Sequence, residues 1–213
     1  MKIGLLFDLD GTLLDTLGDL RNSVNFAMEQ YGYPHRTLDD VRRFIGNGAR
    51  QLIRLSMPEN ADNVDEVLAT YQRHYKANCN IETGPYAGIP EALAALKDYP
   101  MAIVSNKPDG ATKALAAIYF PGIYARGEST DCPRKPAPDM LHKAMDDIGV
   151  ERCIYIGDSE VDVITAQRAG AICCLSVTWG FRPEAELRAA GATHFCNSPA
   201  DLPACIQEIL NTL

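Results

Sequence analysis

The sequence predicts an α/β fold in which a parallel sheet carries an inserted helical segment. Strand-like apolar runs alternate with helical patterns from about residue 85 onward, an order typical of a parallel sheet with helices on both faces. Residues 16–80, by contrast, show helical periodicity with no strand-like run. We therefore expect a Rossmann-like core formed by 1–14 and 82–213, and a small helical bundle formed by 15–81.

The first strand is predicted over the apolar run that begins at Ile3 and ends at Phe7, because a strand buried on both faces is continuously hydrophobic. Asp8 and Asp10 follow it directly. Carboxylates at positions i and i+2 of an extended chain point to the same side, and open α/β sheets bind ligands at the carboxyl ends of their strands. Two neighbouring carboxylates repel each other unless a proton or a cation lies between them. This strand end is therefore the first candidate site.

Four helices are predicted in the inserted segment. They cover residues 20–31, 37–45, 49–57 and 64–78. Gly32 ends the first helix, and Thr37 with Asp40 resembles a capping box at the start of the second. Gly46-Asn47-Gly48 separates the second helix from the third.

The remaining chain predicts alternating helices and strands. The helices are expected at 89–99, 109–118, 137–148, 161–169 and 201–210, and the strands at 101–104, 123–125, 153–156 and 171–177.

Composition excludes several classes of function. The formal net charge is −8 and no Lys/Arg-rich run is present, so we expect no nucleic-acid partner. No apolar stretch has the length of a membrane span, so we expect no membrane partner. The seven cysteines form no C-x-x-C pair, and no signal peptide precedes the first strand, which together predict reduced thiols in a cytoplasmic protein. We expect a monomer or a homodimer.

Polar clusters follow the predicted strands in a fixed order. The first strand leads to Asp8 and Asp10, and the later clusters are Ser105-Asn106, Lys135, and Asp158 with Asp162. Four carboxylates outnumber one lysine, so a buried site at this sheet edge needs a divalent cation and one further proton to become neutral. Oxygen ligands without His or Cys favour a hard cation, Mg²⁺ before Mn²⁺.

Each cluster also has an ordinary structural explanation. Asp-x-Asp-Gly is often a turn, Ser105-Asn106 suits a turn or a helix cap, and Lys135 suits a solvated loop. Asp158 and Asp162 suit the start of a helix. The occurrence of all four clusters in this order favours a functional site.

The four clusters resemble the motifs of the haloacid dehalogenase-like hydrolases. The matching segments are DLDGT at 8–12, SNK at 105–107, KP at 135–136 and GDSEVD at 157–162. The resemblance covers essentially the whole chain, and it implies that the helical segment is a cap inserted after the first motif.

The resemblance implies a role for each motif residue. Asp8 is expected to be the nucleophile, and Asp10 the general acid and base. Mg²⁺ is expected to bind the Asp8 carboxylate, the Asp10 backbone carbonyl and Asp158, with Asp162 orienting a ligand water or Lys135. The groups expected to bind the phosphoryl oxygens are the amides of Gly11 and Thr12, together with Ser105, Asn106 and Lys135.

Within the superfamily the sequence is most similar to the phosphoglycolate phosphatases. DTLGDL at 15–20, IGNGARQLI at 45–53 and VTWGFRP at 177–183 carry this similarity. It implies that Asn47, Gly48 and Arg50 face the active site, and Arg50 is expected to bind a small carboxylate. The ordinary alternative is that Gly46-Asn47-Gly48 is only a helix break and Arg50 a solvated side chain. Three alternatives remain open: a pyrophosphatase or nucleotidase, a sugar phosphomutase, and a non-catalytic binding protein.

Overall fold

The structure, a computed structural model, describes residues 2–213 and is built around a six-stranded parallel sheet. In chain order the strands are β1 (Ile3–Phe7), β2 (Leu14–Asp15), β3 (Gly84–Pro85), β4 (Met101–Pro108), β5 (Tyr124–Glu128), β6 (Arg152–Gly157), β7 (Cys174–Val177) and β8 (His194–Cys196). The helices are α1 (Leu17–Gln30), α2 (Leu38–Phe44), α3 (Gly48–Ser56), α4 (Val64–Asn78), α5 (Ile89–Ala95), α6 (Asp109–Tyr119), α7 (Asp139–Ile148), α8 (Glu160–Arg168), α9 (Glu184–Ala189) and α10 (Leu202–Leu210).

The strand order of the main sheet is β5-β4-β1-β6-β7-β8, so β1 lies between β4 and β6. Phe7 at the end of β1 pairs with Ile103 on one side and with Ile156 on the other. The chain moves outward from β1 through β4 to β5, and then returns to β6 beside β1. Such a reversal opens a crevice at the carboxyl ends of the central strands. The register therefore brings the ends of β1, β4 and β6 to one place.

The sheet is covered on both faces, which explains the continuous apolar run of β1. Leu5 and Phe7 pack with residues of α5, α6 and α10 on one face. Leu6 packs with residues of α7, α8 and α9 on the other. The predicted Rossmann-like α/β fold is confirmed.

The helical insertion is also confirmed. Helices α1 to α4 lie between β1 and β4 in the chain and share an apolar core of their own, which includes Val24, Val41, Ile53 and Val67. The two connections to the sheet run antiparallel as the short pair β2–β3. The domain limits of 1–14 with 82–213, and 15–81, stay a prediction.

Some elements differ from the sequence-based expectations. The short strands β2, β3 and β8 and the helix α9 are not predicted from the sequence, because none contains an apolar run; in α9 only Leu187 is buried. Strand β4 is longer than predicted, since Ser105, Asn106 and Lys107 continue as extended chain with an irregular register to β5. None of the helices within residues 2–213 is long and apolar enough to cross a membrane.

Candidate active site

Asp8 occupies the end of β1, at the base of the crevice. Its side chain is buried, and its Oδ1 accepts a hydrogen bond of 2.7 Å from the amide of Leu9. The same oxygen lies 3.0 Å from the ammonium nitrogen of Lys135. One carboxylate oxygen is thus held by two donors, which fixes the orientation of the carboxylate.

Asp158 lies next to Asp8, between two glycines. Its Oδ1 accepts a hydrogen bond from Thr12 Oγ1 at 2.9 Å, and its Oδ2 accepts one from the amide of Phe181 at 2.7 Å. A β-carbon at Gly11, which has a φ of +83°, would lie 2.3 Å from Asp158 Oδ2, and one at Gly180 would lie 2.3 Å from Asp158 Cβ. Side chains at either position would displace this carboxylate, so both glycines are required by the close approach.

Lys135 is a fully buried cation that joins the strand ends. Its Nζ donates to Asp162 Oδ1 and to Tyr155 Oη, each at 2.8 Å. Asp162 also forms a capping box with Ser159 at the start of α8, so its orientation is fixed from both sides. Desolvation opposes the charge of Lys135, but the adjacent carboxylates of Asp162 and Asp8 outweigh it and raise the pKa of the ammonium. Lys135 therefore remains positively charged.

Asn106 positions Lys135. Its side-chain amide donates to the Lys135 carbonyl at 2.9 Å and to the Gly46 carbonyl at 3.0 Å, and its Oδ1 accepts from the Lys135 amide at 2.9 Å. Both amide hydrogens are thereby engaged. The geometry does not support the expectation that Asn106 binds a phosphoryl oxygen.

The geometry also revises the expected phosphate contacts of the first motif. The amide of Gly11 donates to the Leu14 carbonyl at 2.9 Å, and that of Thr12 donates to the Leu9 carbonyl at 3.3 Å. The Thr12 hydroxyl holds Asp158 instead of facing the crevice. Ser105 is buried at the crevice, and its Oγ accepts a bond of 3.2 Å from the Lys107 amide, which leaves its own hydrogen available.

Asp10 has different partners from the other three acids. Its Oδ1 accepts from Thr16 Oγ1 at 2.7 Å and from Lys107 Nζ at 2.8 Å, while its Oδ2 lies 3.1 Å from the same ammonium. Lys107 was not predicted as a site residue, although it belongs to the SNK segment. The pairing joins residues 97 positions apart, and no local pattern in the sequence indicates it.

Three buried carboxylates form a group that fits a divalent cation. Asp8, Asp158 and Asp162 each offer an oxygen, and these oxygens lie within 4.8 Å of one another. Burial and mutual repulsion raise the pKa of Asp8 to about 7, and the same causes raise the pKa of Asp158 well above its usual range. Lys107 neutralises Asp10, so the charges left to balance are those of these three carboxylates and of Lys135. Their sum is two negative charges. A divalent cation therefore balances the site without the further proton that the sequence-based count required.

The metal-free protein is expected to lose stability as the pH rises. The pKa of Asp8 is raised from 3.8 to about 7, so the stabilisation from its bound proton is complete below pH 3.8 and is lost as the pH passes 7. In EDTA, we expect the melting temperature to fall between about pH 5 and about pH 8, and Mg²⁺ to raise it more at the higher pH, where it does not compete with protons. Thermal unfolding with EDTA or Mg²⁺ measures both effects.

Asp158→Asn is the control, since it should remove most of the Mg²⁺ effect. A Mg²⁺-induced shift of equal size at the two pH values would contradict metal binding at these carboxylates.

The helical insertion covers the crevice and leaves a cavity of about 50 Å³. The core side of this cavity includes Asp8, Asp10 and Ser105. Its other wall is formed by the insertion residues Leu20, Ile45, Gly46, Gly48, Ala49, Leu52, Tyr71 and Tyr75. Gly48 is among the residues that line the cavity, whereas Asn47 and Arg50 are not.

Arg50 faces a different direction from the one expected. Its guanidinium is exposed and pairs with Asp65 on α4. The buried arginine of the cavity is Arg182, which follows β7 and donates to the carbonyls of Arg42 at 2.7 Å and Ile45 at 2.5 Å. The geometry does not support substrate binding by Arg50. Arg182 instead joins the core to the insertion.

Comparisons with known proteins agree with this geometry. A family model described as haloacid dehalogenase-like hydrolase matches residues 5–175. The chain is 35% identical over 199 residues to a phosphoglycolate phosphatase of Pseudomonas syringae pv. tomato, covering 85% of this chain and 72% of that protein. It is 30% identical over 217 residues to a 5'-nucleotidase of Pseudomonas aeruginosa, covering 98% and 95%. A solved haloacid dehalogenase-like family protein of Streptococcus pneumoniae superposes with a TM-score of 0.87 at 25% identity, covering 97% of this chain and 99% of that one.

Proposed function

The chain belongs to the haloacid dehalogenase-like hydrolases, and from this premise we propose that it is a Mg²⁺-dependent phosphatase that converts 2-phosphoglycolate to glycolate and phosphate. One observation carries the proposal. Asp8 is held between the Leu9 amide and Lys135 at the base of a small cavity, while the Asp10 carboxylate lies apart from the metal-fitting group. The two carboxylates of the first motif thus have different partners, which suits Asp8 to act as the nucleophile and Asp10 to act as the acid and base.

In the first step, Asp8 attacks phosphorus and the bond to the leaving oxygen breaks. In the free protein Asp10 is a carboxylate paired with Lys107, so it takes up a proton when the anionic substrate binds. It gives this proton to the leaving oxygen, and glycolate leaves with a neutral hydroxyl group. Lys135 and the Ser105 hydroxyl stabilise the charge on the phosphoryl oxygens during transfer. The product of this step is a phosphorylated Asp8.

In the second step, water attacks the phosphorylated Asp8 and Asp10 takes up its proton. Phosphate leaves and the Asp8 carboxylate is restored. We assign Mg²⁺ to Asp8, Asp158 and the Asp10 carbonyl, with Asp162 holding Lys135 beside them. The bound cation offsets the negative charge of the phosphoryl group and of the carboxylates around it.

A small substrate suits the cavity. The centres of water-sized groups can occupy about 50 Å³ of it, so the space between the insertion and the sheet is narrow. A nucleoside monophosphate would require the insertion to move farther from the sheet than a two-carbon phosphate ester would. The relative from Pseudomonas aeruginosa makes 5'-nucleotidase activity the second candidate.

A screen of small phosphates with Mg²⁺ tests the proposal. We expect 2-phosphoglycolate to have the highest kcat/KM, and nucleoside monophosphates and pyrophosphate to be at least about tenfold poorer. EDTA should remove turnover of each compound. A preference for nucleoside monophosphates would identify a nucleotidase, and transfer to a hexose phosphate that requires a bisphosphate activator would identify a mutase. No turnover of any phosphate would indicate a binding protein.

A further inference from the structure

The hydroxyl of Tyr75 is buried and makes no hydrogen bond within residues 2–213. Tyr75 lies on α4, is 3% exposed and lines the cavity opposite the catalytic acids. A buried polar group without a partner destabilises the free protein, and few such groups occur in native structures. In the sequence, Tyr75 falls within the helix predicted over residues 64–78.

The ring of Tyr75 is held by its neighbours. Tyr71 stacks against it with ring centres 5.6 Å apart and planes at 9°. The Lys107 ammonium lies 4.6 Å from the centre of the Tyr75 ring and also holds Asp10. Burial and the nearby Asp10 carboxylate raise the pKa of Tyr75, which keeps its hydroxyl protonated as a donor. The ring is therefore held in the cavity wall beside the pair of Lys107 and Asp10.

We propose that the Tyr75 hydroxyl donates a hydrogen bond to the leaving group of the substrate and selects esters whose leaving group carries a carboxylate. This inference rests on the proposed phosphatase function and names the residue that recognises the substrate. The insertion wall of the cavity is otherwise formed by side chains without charge, among them Leu20, Ala49 and Leu52. Lys107 and Arg182 also line this cavity, but Asp10 pairs with Lys107 and Glu160 pairs with Arg182. The Tyr75 hydroxyl is therefore a buried donor that is still available to a polar leaving group. Tyr75 thus takes the role that the sequence suggested for Arg50.

The test compares 2-phosphoglycolate with ethyl phosphate, which has a methyl group in place of the carboxylate. The wild-type protein should have the higher kcat/KM for 2-phosphoglycolate. Tyr75→Phe should reduce that preference by about tenfold or more, the loss expected for a hydrogen bond to a charged group. Its melting temperature without substrate should not fall, because the substitution removes a hydroxyl that has no partner.

Tyr33→Phe is the matched control. The Tyr33 hydroxyl donates to Asn63 at 2.7 Å within the insertion and lies outside the cavity. This variant should keep the wild-type preference between the two esters.

An unchanged preference in Tyr75→Phe overturns the inference, and so does a lower melting temperature, which would reveal a structural partner of the hydroxyl. Equal kcat/KM for the two esters in the wild-type protein also overturns it while leaving the phosphatase function intact. If the wild-type protein hydrolyses neither ester, the proposed function fails, and the inference fails with it.

Discussion

Asp8→Asn is expected to lower turnover by about four orders of magnitude or more and to leave the protein folded. The amide has the shape of the carboxylate and can still accept the hydrogen bond from Leu9, but it cannot attack phosphorus. Burial already raises the pKa of Asp8 to about 7, so a neutral side chain at this position relieves repulsion among the acids. Steady-state hydrolysis of 2-phosphoglycolate and of an aryl phosphate measures the loss. Thermal unfolding in EDTA should give a melting temperature within about 3 °C of the wild-type value or above it.

Asp98→Asn provides the matched control for this experiment, because Asp98 is exposed and does not line the cavity. It should match the wild-type protein in both measurements. Activity within tenfold of wild type in Asp8→Asn would assign the nucleophile to another residue.

The architecture could be predicted because it depends on patterns that are local in the chain. The apolar run before Asp8 predicts a strand buried on both faces, and Leu5 and Leu6 do face opposite sides of the sheet. The rule that polar residues gather at the carboxyl ends of parallel strands then brings Asp8, Ser105 and Asp158 to one edge. No knowledge of side-chain direction is needed for these steps.

Side-chain directions could not be predicted, and the differences at the site arise from them. Asn106 follows Ser105 directly, yet it binds the backbone of Lys135. Arg50 follows the glycine-rich break, but its position on α3 turns it toward Asp65 on the outer surface. In each case tertiary packing determines the partner of the side chain, and the spacing of the motif residues in the sequence does not indicate that partner.

The pairing of Lys107 with Asp10 has the largest consequence for the electrostatics. A lysine two positions after a motif serine has the sequence pattern of a solvated side chain, but the side chain of Lys107 is only 2% exposed. Its burial changes the balance of charges in the crevice, so that a divalent cation alone neutralises the site. The sequence-based charge count was correct for the residues it included, and it lacked this one cation.

Lys135→Met is expected to remove activity and to destabilise the metal-free protein by about 3–5 kcal/mol at about pH 8, because it leaves buried carboxylates without their counter-charge. Methionine fills similar space, so packing is largely preserved. Lys135 lowers the pKa of Asp8, and its loss should raise that pKa further. The destabilisation should therefore be smaller at about pH 5, where the acids are protonated, and should grow as the pH rises. Chemical denaturation in EDTA at the two pH values measures it.

Two further variants separate charge from packing in this result. Adding Asp162→Asn to Lys135→Met removes one of the buried carboxylates that repel one another. The double variant should recover part of the lost stability at the higher pH without restoring activity. Lys107→Met should cost less stability, because it leaves only the Asp10 carboxylate without a counter-charge, and that carboxylate is 13% exposed and keeps its hydrogen bond from Thr16. If Lys135→Met loses the same stability at both pH values, lost packing accounts for the effect. A loss that grows with pH and is relieved by Asp162→Asn means that Lys135 holds the acids together by its charge, as its role beside Asp8 requires.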